Sequence, residues 1–164
     1  GGVQVGLSEA TAGYLVAAGG LAGLAVRLLA GLRADKNAFD PLRGVVVLCV
    51  LGAAGWFLMA TGTELLFVVG LVVANAFCWG WPGLQHLAVA RRFPTSTAAA
   101  SGVAQTGVAI GLLLGPLTLG LLANRDWSLM WVVAGCAALV GAIIVWVAAA
   151  RLPRPDIALA PDVG

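Results

Sequence analysis

The sequence predicts an all-α integral membrane protein with five transmembrane helices. Of its 164 residues, 61% are hydrophobic and 10% are charged, and the mean hydropathy is +1.01. A water-soluble domain of this length cannot bury so much apolar surface. The apolar residues also form runs long enough for membrane-spanning helices, which need about 20 residues each. Composition and segment length therefore predict the same fold class.

The predicted domain organisation has three parts. Residues 1–9 are too short and too polar to cross a bilayer, and we interpret them as the outer end of a truncated helix. A membrane bundle over 10–152 follows, and 153–164 form an irregular, proline-containing tail. Because no initiator methionine is present, we expect the chain to be the later part of a longer protein. The predicted spans cover about residues 10–32, 45–61, 65–90, 98–123 and 127–150.

The basic residues predict the orientation of the bundle. Short loops rich in Lys and Arg stay on the cytoplasmic side of a membrane. With five alternating spans, Arg125 lies on one side and Arg27 within a span, while the other basic residues share the opposite side: Arg33, Lys36, Arg43, Arg91, Arg92, Arg151 and Arg154. We therefore predict a multi-pass protein of the cell membrane with the N-terminus of this chain outside and the C-terminus in the cytoplasm. The scattered charge also argues against nucleic acid as a partner.

The first and second spans differ in their polar content. The first carries four glycines that allow close helix approach in lipid, Gly13, Gly19, Gly20 and Gly23. It also contains Arg27, a cation about six residues before the end of the span. Such a cation is a candidate for gating or substrate contact, or it extends to the membrane surface. The second span is apolar on all sides except at Trp56, which predicts a helix that faces lipid over much of its circumference.

The third span is the richest in polar groups. Asn75, Trp79, Pro82 and His86 follow the spacing i, i+4, i+7 and i+11, so they share one helix face. Unpaired amide and imidazole groups are costly in lipid, which predicts that this face points into the bundle or a substrate cavity. Pro82 removes one helical hydrogen bond, and we expect the helix to bend there. A second interpretation is that the polar groups only tie helices together.

The fourth span combines cavity candidates with a packing surface. Gln105 and Thr106 lie in its cytoplasmic half, but Thr106 can bond to its own helix, so Gln105 is the better cavity candidate. Gly107, Gly111 and Gly115 recur every four residues and form a flat ridge at which we expect a close helix partner.

The fifth span is bordered by tryptophans at both ends. Trp127 and Trp131 lie near one end and Trp146 near the other. At about 1.5 Å per residue they are separated by roughly 22 to 28 Å. This spacing is typical of the two aromatic belts of a membrane protein.

No pattern in the sequence points to an enzyme, a metal site or a cofactor. The chain has one His and lacks G-x-S-x-G and H-E-x-x-H motifs, so no pairing of nucleophile and base is evident. Three cysteines, Cys49, Cys78 and Cys136, lie in apolar segments without metal-ligand spacing. We therefore predict no catalytic residues.

Two regions of the chain resemble the major facilitator superfamily of secondary transporters. Gly31, Asp35 and Lys36 have the G-x-x-x-D-K spacing that begins the loop motif of that family, although the G-R-R that often completes it is replaced by residues 37–40. Residues 79–94 and 101–122, which include the pair Gly115 and Pro116, are similar to the tenth and eleventh helices of bacterial members. The chain also has some likeness to the cyanate and nitroimidazole transporter branch, which identifies no substrate.

The resemblance implies the C-terminal half of a twelve-helix transporter, from the end of helix 7 to helix 12. Such proteins rock two bundles about a midplane site. The implied partners are the lipid bilayer, a missing N-terminal bundle of the same protein and a small-molecule substrate. Gly31, Asp35 and Lys36 would form a conformational latch against that bundle, with Arg27 as a further candidate. On spacing alone, the charged residues Arg33, Asp35 and Lys36 are equally a solvated loop that sets the membrane topology. A non-transporting membrane scaffold or sensor is the alternative function.

Overall fold

The computed structural model describes residue 2, residues 5–36 and residues 39–152, including all their side chains except those of residues 35 and 36. Throughout this part of the chain the regular structure is α-helical. The helices are α1 (Glu9–Lys36), α2 (Pro41–Ala60), α3 (Glu64–Cys78), α4 (Pro82–Arg92), α5 (Thr97–Ala123) and α6 (Trp127–Arg151). With α3 and α4 taken together, five helical segments are long and apolar enough to cross a membrane. The predicted all-α membrane fold is confirmed.

Acidic caps and one glycine turn explain several helix ends. Asp40 precedes α2, and its Oδ1 accepts a hydrogen bond from the Leu42 N–H at 3.1 Å. Asp126 precedes α6 and accepts in the same way from the N–H groups of Ser128 and Leu129. Each cap satisfies donors that the first helical turn leaves free. Between α2 and α3, Gly62 has a φ of 74°, a conformation that favours glycine.

Helix α2 lies at the centre of the bundle, between α3 and α6. A Cβ atom added at Gly55 would lie 2.8 Å from the carbonyl oxygen of Gly70 and 2.8 Å from the Cα of Ala74, so the backbones of α2 and α3 are in direct contact. The sides of α2 that face α3 and α6 are therefore packed, whereas Val47, Val50 and Leu51 are exposed. That this span faces lipid over much of its circumference stays a prediction. A helix that is apolar on all sides suits either lipid or other helices, and the glycines of α2 permit the second.

Helix α1 packs against α3 through two of its five glycines. A Cβ atom at Gly19 would lie 2.8 Å from the Cβ of Asn75, and one at Gly23 would lie 3.0 Å from the Asn75 carbonyl oxygen. A Cβ atom at Gly13 or Gly20 would meet no atom of another described residue within 4 Å, apart from the backbone of its own helix. The close approach of α1 therefore depends on one glycine face.

An aromatic cluster joins α2, α3 and α6. The ring of Trp131 stacks on Trp56 with centroids 5.3 Å apart and meets the edge of Phe67 at 6.1 Å. Trp131 thus packs between helices, because two aromatic partners are within reach. That it lies at the level of an aromatic belt stays a prediction. Leu7, from the turn that precedes α1, joins Phe67 in the same apolar cluster. That residues 1–9 continue an earlier helix stays a prediction.

Helix α5 is the most exposed of the long helices. None of its residues is buried, and its main contacts with the described chain are with α6 and α4. Gly107, Gly111 and Gly115 have no described side chain or neighbouring helix within 4 Å of an added Cβ atom. The close partner expected at this ridge is thus not among the described helices. Pro116 lies within α5 without ending it.

Candidate functional site

The third span is broken where the sequence predicts a bend. Helix α3 ends at Cys78, α4 begins at Pro82, and residues 79–81 form a turn. Pro82 occupies the first position of α4, where its missing N–H costs nothing. Gly80 lets α1 approach this turn, since an added Cβ atom would lie 2.9 Å from Cγ1 of Val26. The break divides the predicted polar face into two parts.

The part before the break packs against α1. The side-chain nitrogen of Asn75 donates to the Leu71 carbonyl of its own helix at 2.9 Å, and its Cβ lies against Gly19. Trp79 is 62% exposed, and its Cβ lies near Gly23. Asn75 therefore satisfies its amide within α3 and serves the contact with α1. Asn75 and Trp79 thus lie together against α1, and the side-chain hydrogen bond of Asn75 goes to Leu71 and not to His86 or Gln105.

The part after the break contains a hydrogen bond between α4 and α5. Nε2 of Gln105 lies 3.1 Å from Nε2 of His86, and both residues are exposed. An amide nitrogen only donates, so the ring nitrogen accepts and the neutral imidazole carries its proton on Nδ1. The sequence suggests His86 and Gln105 as cavity residues on two different spans. In the structure they form one hydrogen-bonded pair.

Arg27 is exposed and contacts the first turn of α4. An added Cβ atom at Gly83 would lie 3.6 Å from Nε of Arg27, which places the guanidinium against the first turn of α4. Gly83 and His86 are three residues apart and share one face of that helix. We give the name polar face to these neighbouring residues, Arg27, Gly83, His86 and Gln105, of which Arg27, His86 and Gln105 are exposed.

Thr106 bonds to its own helix, which is the alternative to a role in the cavity. Its hydroxyl donates to the Gly102 carbonyl of its own helix at 2.9 Å. This bond satisfies the donor of the side chain without any partner from another helix. Thr106 is exposed on α5 next to Gln105 but contributes no bond to the polar face.

A second polar cluster, which local sequence patterns do not reveal, fastens the loop between α1 and α2. Nη2 of Arg92 lies 2.9 Å from Oδ2 of Asp40, and the Arg92 side chain is only 2% exposed. Nη2 of Arg91 donates to the carbonyl oxygen of Ala34, in the last turn of α1, at 3.0 Å. We call Ala34, Asp40, Arg91 and Arg92 the loop clamp. The sequence contains two features that could have indicated this cluster. One is the pair of arginines at the end of the third span, and the other is the acidic N-cap residue before the second span.

The clamp also sets the charge of Asp40. Burial acts to raise its pKa, but the hydrogen bonds from Arg92 and from the Leu42 N–H, with the charges of Arg92 and Arg43, outweigh burial. The pKa of Asp40 is therefore lowered from its ordinary value, and the carboxylate stays ionised at neutral pH.

The predicted latch lies next to this clamp. Gly31 is half-buried in α1, and an added Cβ atom would meet no described atom of another element within 4 Å. Asp35 and Lys36 belong to the last turn of α1, but their side chains lie outside the described part of the structure. Their role as a latch stays a prediction.

Comparison with known proteins places the chain in a family. Its sequence matches the family model of the Major Facilitator Superfamily over residues 2–163, which is nearly its whole length. No match was found among curated proteins or among solved structures. The family match agrees with the apolar, all-helical fold and with the transporter class that the sequence suggests. The chain therefore belongs to the Major Facilitator Superfamily, whose members are membrane transporters.

Proposed function

We propose that this chain forms one helical bundle of a secondary active transporter that moves a small solute across the cell membrane by alternating access. The observation that carries the proposal is the exposed polar face. Arg27, His86 and Gln105 all lie in segments apolar and long enough to cross a bilayer. Polar groups at such depth belong in a protein contact or a water-filled cavity, because lipid cannot satisfy them.

The proposed placement is the C-terminal half of the transporter, with α1 as the eighth helix and α6 as the twelfth. The loop spacing of Gly31, Asp35 and Lys36 supports this order. The bare surface of α5 supports a companion bundle that would cover it. The cytoplasmic side would hold the α1–α2 loop, and the turn containing Arg125 would lie outside.

The polar face would supply part of the solute site. The His86–Gln105 pair offers the Gln105 carbonyl oxygen as acceptor and the imidazole Nδ1–H as donor. Arg27 adds a fixed cation, which favours a solute carrying an anionic or strongly polar group. Asn75 and Trp79 would act indirectly, by holding α1 beside the break.

The loop clamp would support the latch. Arg91 and Arg92 hold Ala34 and Asp40, which lie on either side of a segment made of the end of α1, with Asp35 and Lys36, and the loop that follows it. Fixing both ends of a short loop limits the positions open to the residues between them. The clamp would thereby present the loop to a companion bundle in one orientation.

The proposal is tested by uptake into proteoliposomes that contain the complete protein, with a panel of labelled organic anions, amino acids and drugs. For any solute of the panel that is transported, Gln105→Leu removes the bond to His86 and is expected to raise the KM of uptake several-fold. Thr106→Val is the matched control, since its hydroxyl bonds only to its own helix. Equal KM values for both variants and the parent would remove Gln105 from the solute site, and absence of any uptake would overturn the transport proposal itself.

A further inference from the structure

A groove of about 500 Å³ opens between α1 and α2. These helices follow one another in the chain, yet both pack mainly against other helices, which leaves a space between them. Leu29 of α1 and Val47 and Leu51 of α2 form its walls, and Phe77 and Leu84 lie at its base. None of its lining residues belongs to the polar face or to the loop clamp, and the proposed transport cycle gives the groove no role.

The wall residues face outward in apolar surroundings. Leu29 is 59% exposed and Val47 is 56% exposed, and both lie within segments able to cross a membrane. Hydrocarbon fills such a groove without leaving unsatisfied groups, whereas water or a polar solute finds few partners on these walls. An acyl chain of the surrounding bilayer has the required shape and chemistry.

One end of the groove is basic. Arg33, in the last turns of α1, and Arg43, in the first turn of α2, both line it and both are exposed. Asp40, the acidic residue in the described part of this loop, is already bonded to Arg92. Two guanidinium groups beside an apolar groove provide the hydrogen-bond donors that a phosphate accepts.

We propose that the groove binds a membrane phospholipid with an anionic headgroup, with one acyl chain between α1 and α2 and the phosphate between Arg33 and Arg43. Lipid tails are as apolar as the groove, so the tail alone gives little selectivity. The two arginines supply the preference for a negative headgroup. Basic pockets between transmembrane helices bind anionic lipids by this combination.

Native mass spectrometry of the complete protein in detergent tests the proposal. The protein is titrated with phosphatidylglycerol or with phosphatidylcholine of the same acyl chains. We expect phosphatidylglycerol to be retained about ten-fold more strongly, from two arginines near one anionic headgroup. In the double variant Arg33→Gln and Arg43→Gln, the ratio of the two affinities should fall close to one. Arg151→Gln, an exposed arginine at the end of α6, should leave the ratio unchanged.

Two further measurements separate headgroup binding from occupation of the groove. Val47→Trp fills the groove and should weaken retention of both lipids, while Arg33→Lys with Arg43→Lys should keep most of the preference if the folded bundle is intact. Free sn-glycerol 3-phosphate should not compete at concentrations where phosphatidylglycerol saturates. The proposal is overturned if the double Gln variant keeps the preference, if Val47→Trp has no effect, or if glycerol 3-phosphate competes as well as the lipid.

Discussion

Helices α2 and α5 are both long, apolar and glycine-bearing, but their glycines meet opposite surroundings. Gly52 and Gly55 of α2 lie directly against α3, where an added methyl group would overlap neighbouring backbone or side-chain atoms. Gly107 and Gly111 of α5 have no neighbouring helix within 4 Å in the described part of the chain. Glycine spacing therefore identifies a surface that permits close approach, but it does not say whether the partner belongs to the same bundle.

The difference divides the bundle into a packed part and an open part. The packed part contains α2, α3 and α6 and includes the stacked rings of Trp56 and Trp131. The open part contains α5 and the polar face bordered by Arg27 and His86. In the proposed transporter, the first part is the rigid body and the second meets the companion bundle.

The largest expected effect is on stability, in the packed part. Gly55→Ala places a methyl group against the backbone of α3, only 2.8 Å from the Gly70 carbonyl oxygen. Overpacking of this kind typically costs about 1–3 kcal/mol. We expect a clearly lower thermal midpoint for the complete protein in detergent, measured by the loss of monodisperse protein on heating.

The matched control for that variant is Gly20→Ala in α1, a helix glycine outside the α5 surface that would meet the companion bundle. Its added methyl group meets no other element of the described structure within 4 Å, so stability should not fall by more than about 0.5 kcal/mol. Equal destabilisation by both variants would contradict the close contact between α2 and α3 at Gly55.

The next effect concerns the loop clamp. Arg92→Met removes the partner of Asp40 and should destabilise the protein by about 1–3 kcal/mol, less than a fully buried pair because the Asp40 side chain is 20% exposed. Arg151→Met is the control, since that arginine is exposed. The thermal midpoints of both variants are compared with that of the parent. If both midpoints change equally, the clamp contributes nothing specific.

The clamp also predicts a pH dependence. The folded pKa of Asp40 is lowered, so the stabilisation that it gives is present above its ordinary pKa of 3.8 and is lost as the pH falls through the folded value. The difference in thermal midpoint between the parent and Asp40→Asn should be constant from pH 7 to pH 5 and shrink below about pH 4. A difference that instead vanishes between pH 7 and pH 6 would show that another group controls it.

A smaller and more selective effect is expected at the polar face. His86→Phe removes the acceptor of Gln105 while keeping a ring of similar size, and it should change KM for a transported solute several-fold with little change in thermal midpoint. Loss of stability without a change in KM would assign the pair to packing between α4 and α5. The comparison with Gln105→Leu tests coupling, because two variants that break the same bond should not have additive effects.

Local sequence patterns are sufficient for part of this structure. The long apolar runs identify the membrane-spanning helices, and Pro82 marks the place where the third span is interrupted, because both signals act within one helix. The spacing of the polar residues in the third span predicts that Asn75 and His86 lie on the same helix face. The break separates them, and Asn75 bonds to Leu71 instead.

Contacts between distant segments are not predictable in this way. Arg92 and Asp40 are 52 positions apart, and no local pattern pairs them. Spacing places Trp131 near one end of its span but does not predict its contact with Trp56, because spacing gives the position along the helix and not the rotation about the helix axis. In the structure, the rotation of α6 about its axis stacks the ring of Trp131 on that of Trp56. The same uncertainty applies to α2, whose uniformly apolar surface fits lipid as well as neighbouring helices.

The central claim is that the open surface of α5 meets a companion bundle during transport. The most direct measurement is the rate of maleimide labelling of Gly111→Cys in the complete protein, with Cys49, Cys78 and Cys136 replaced and with and without a transported solute. Val140→Cys, on the exposed surface of α6, is the reference for a position that does not change its surroundings. We expect the labelling rate at position 111 to change several-fold when the solute is added, while the rate at position 140 stays constant. Equal, solute-independent rates at both positions would contradict it.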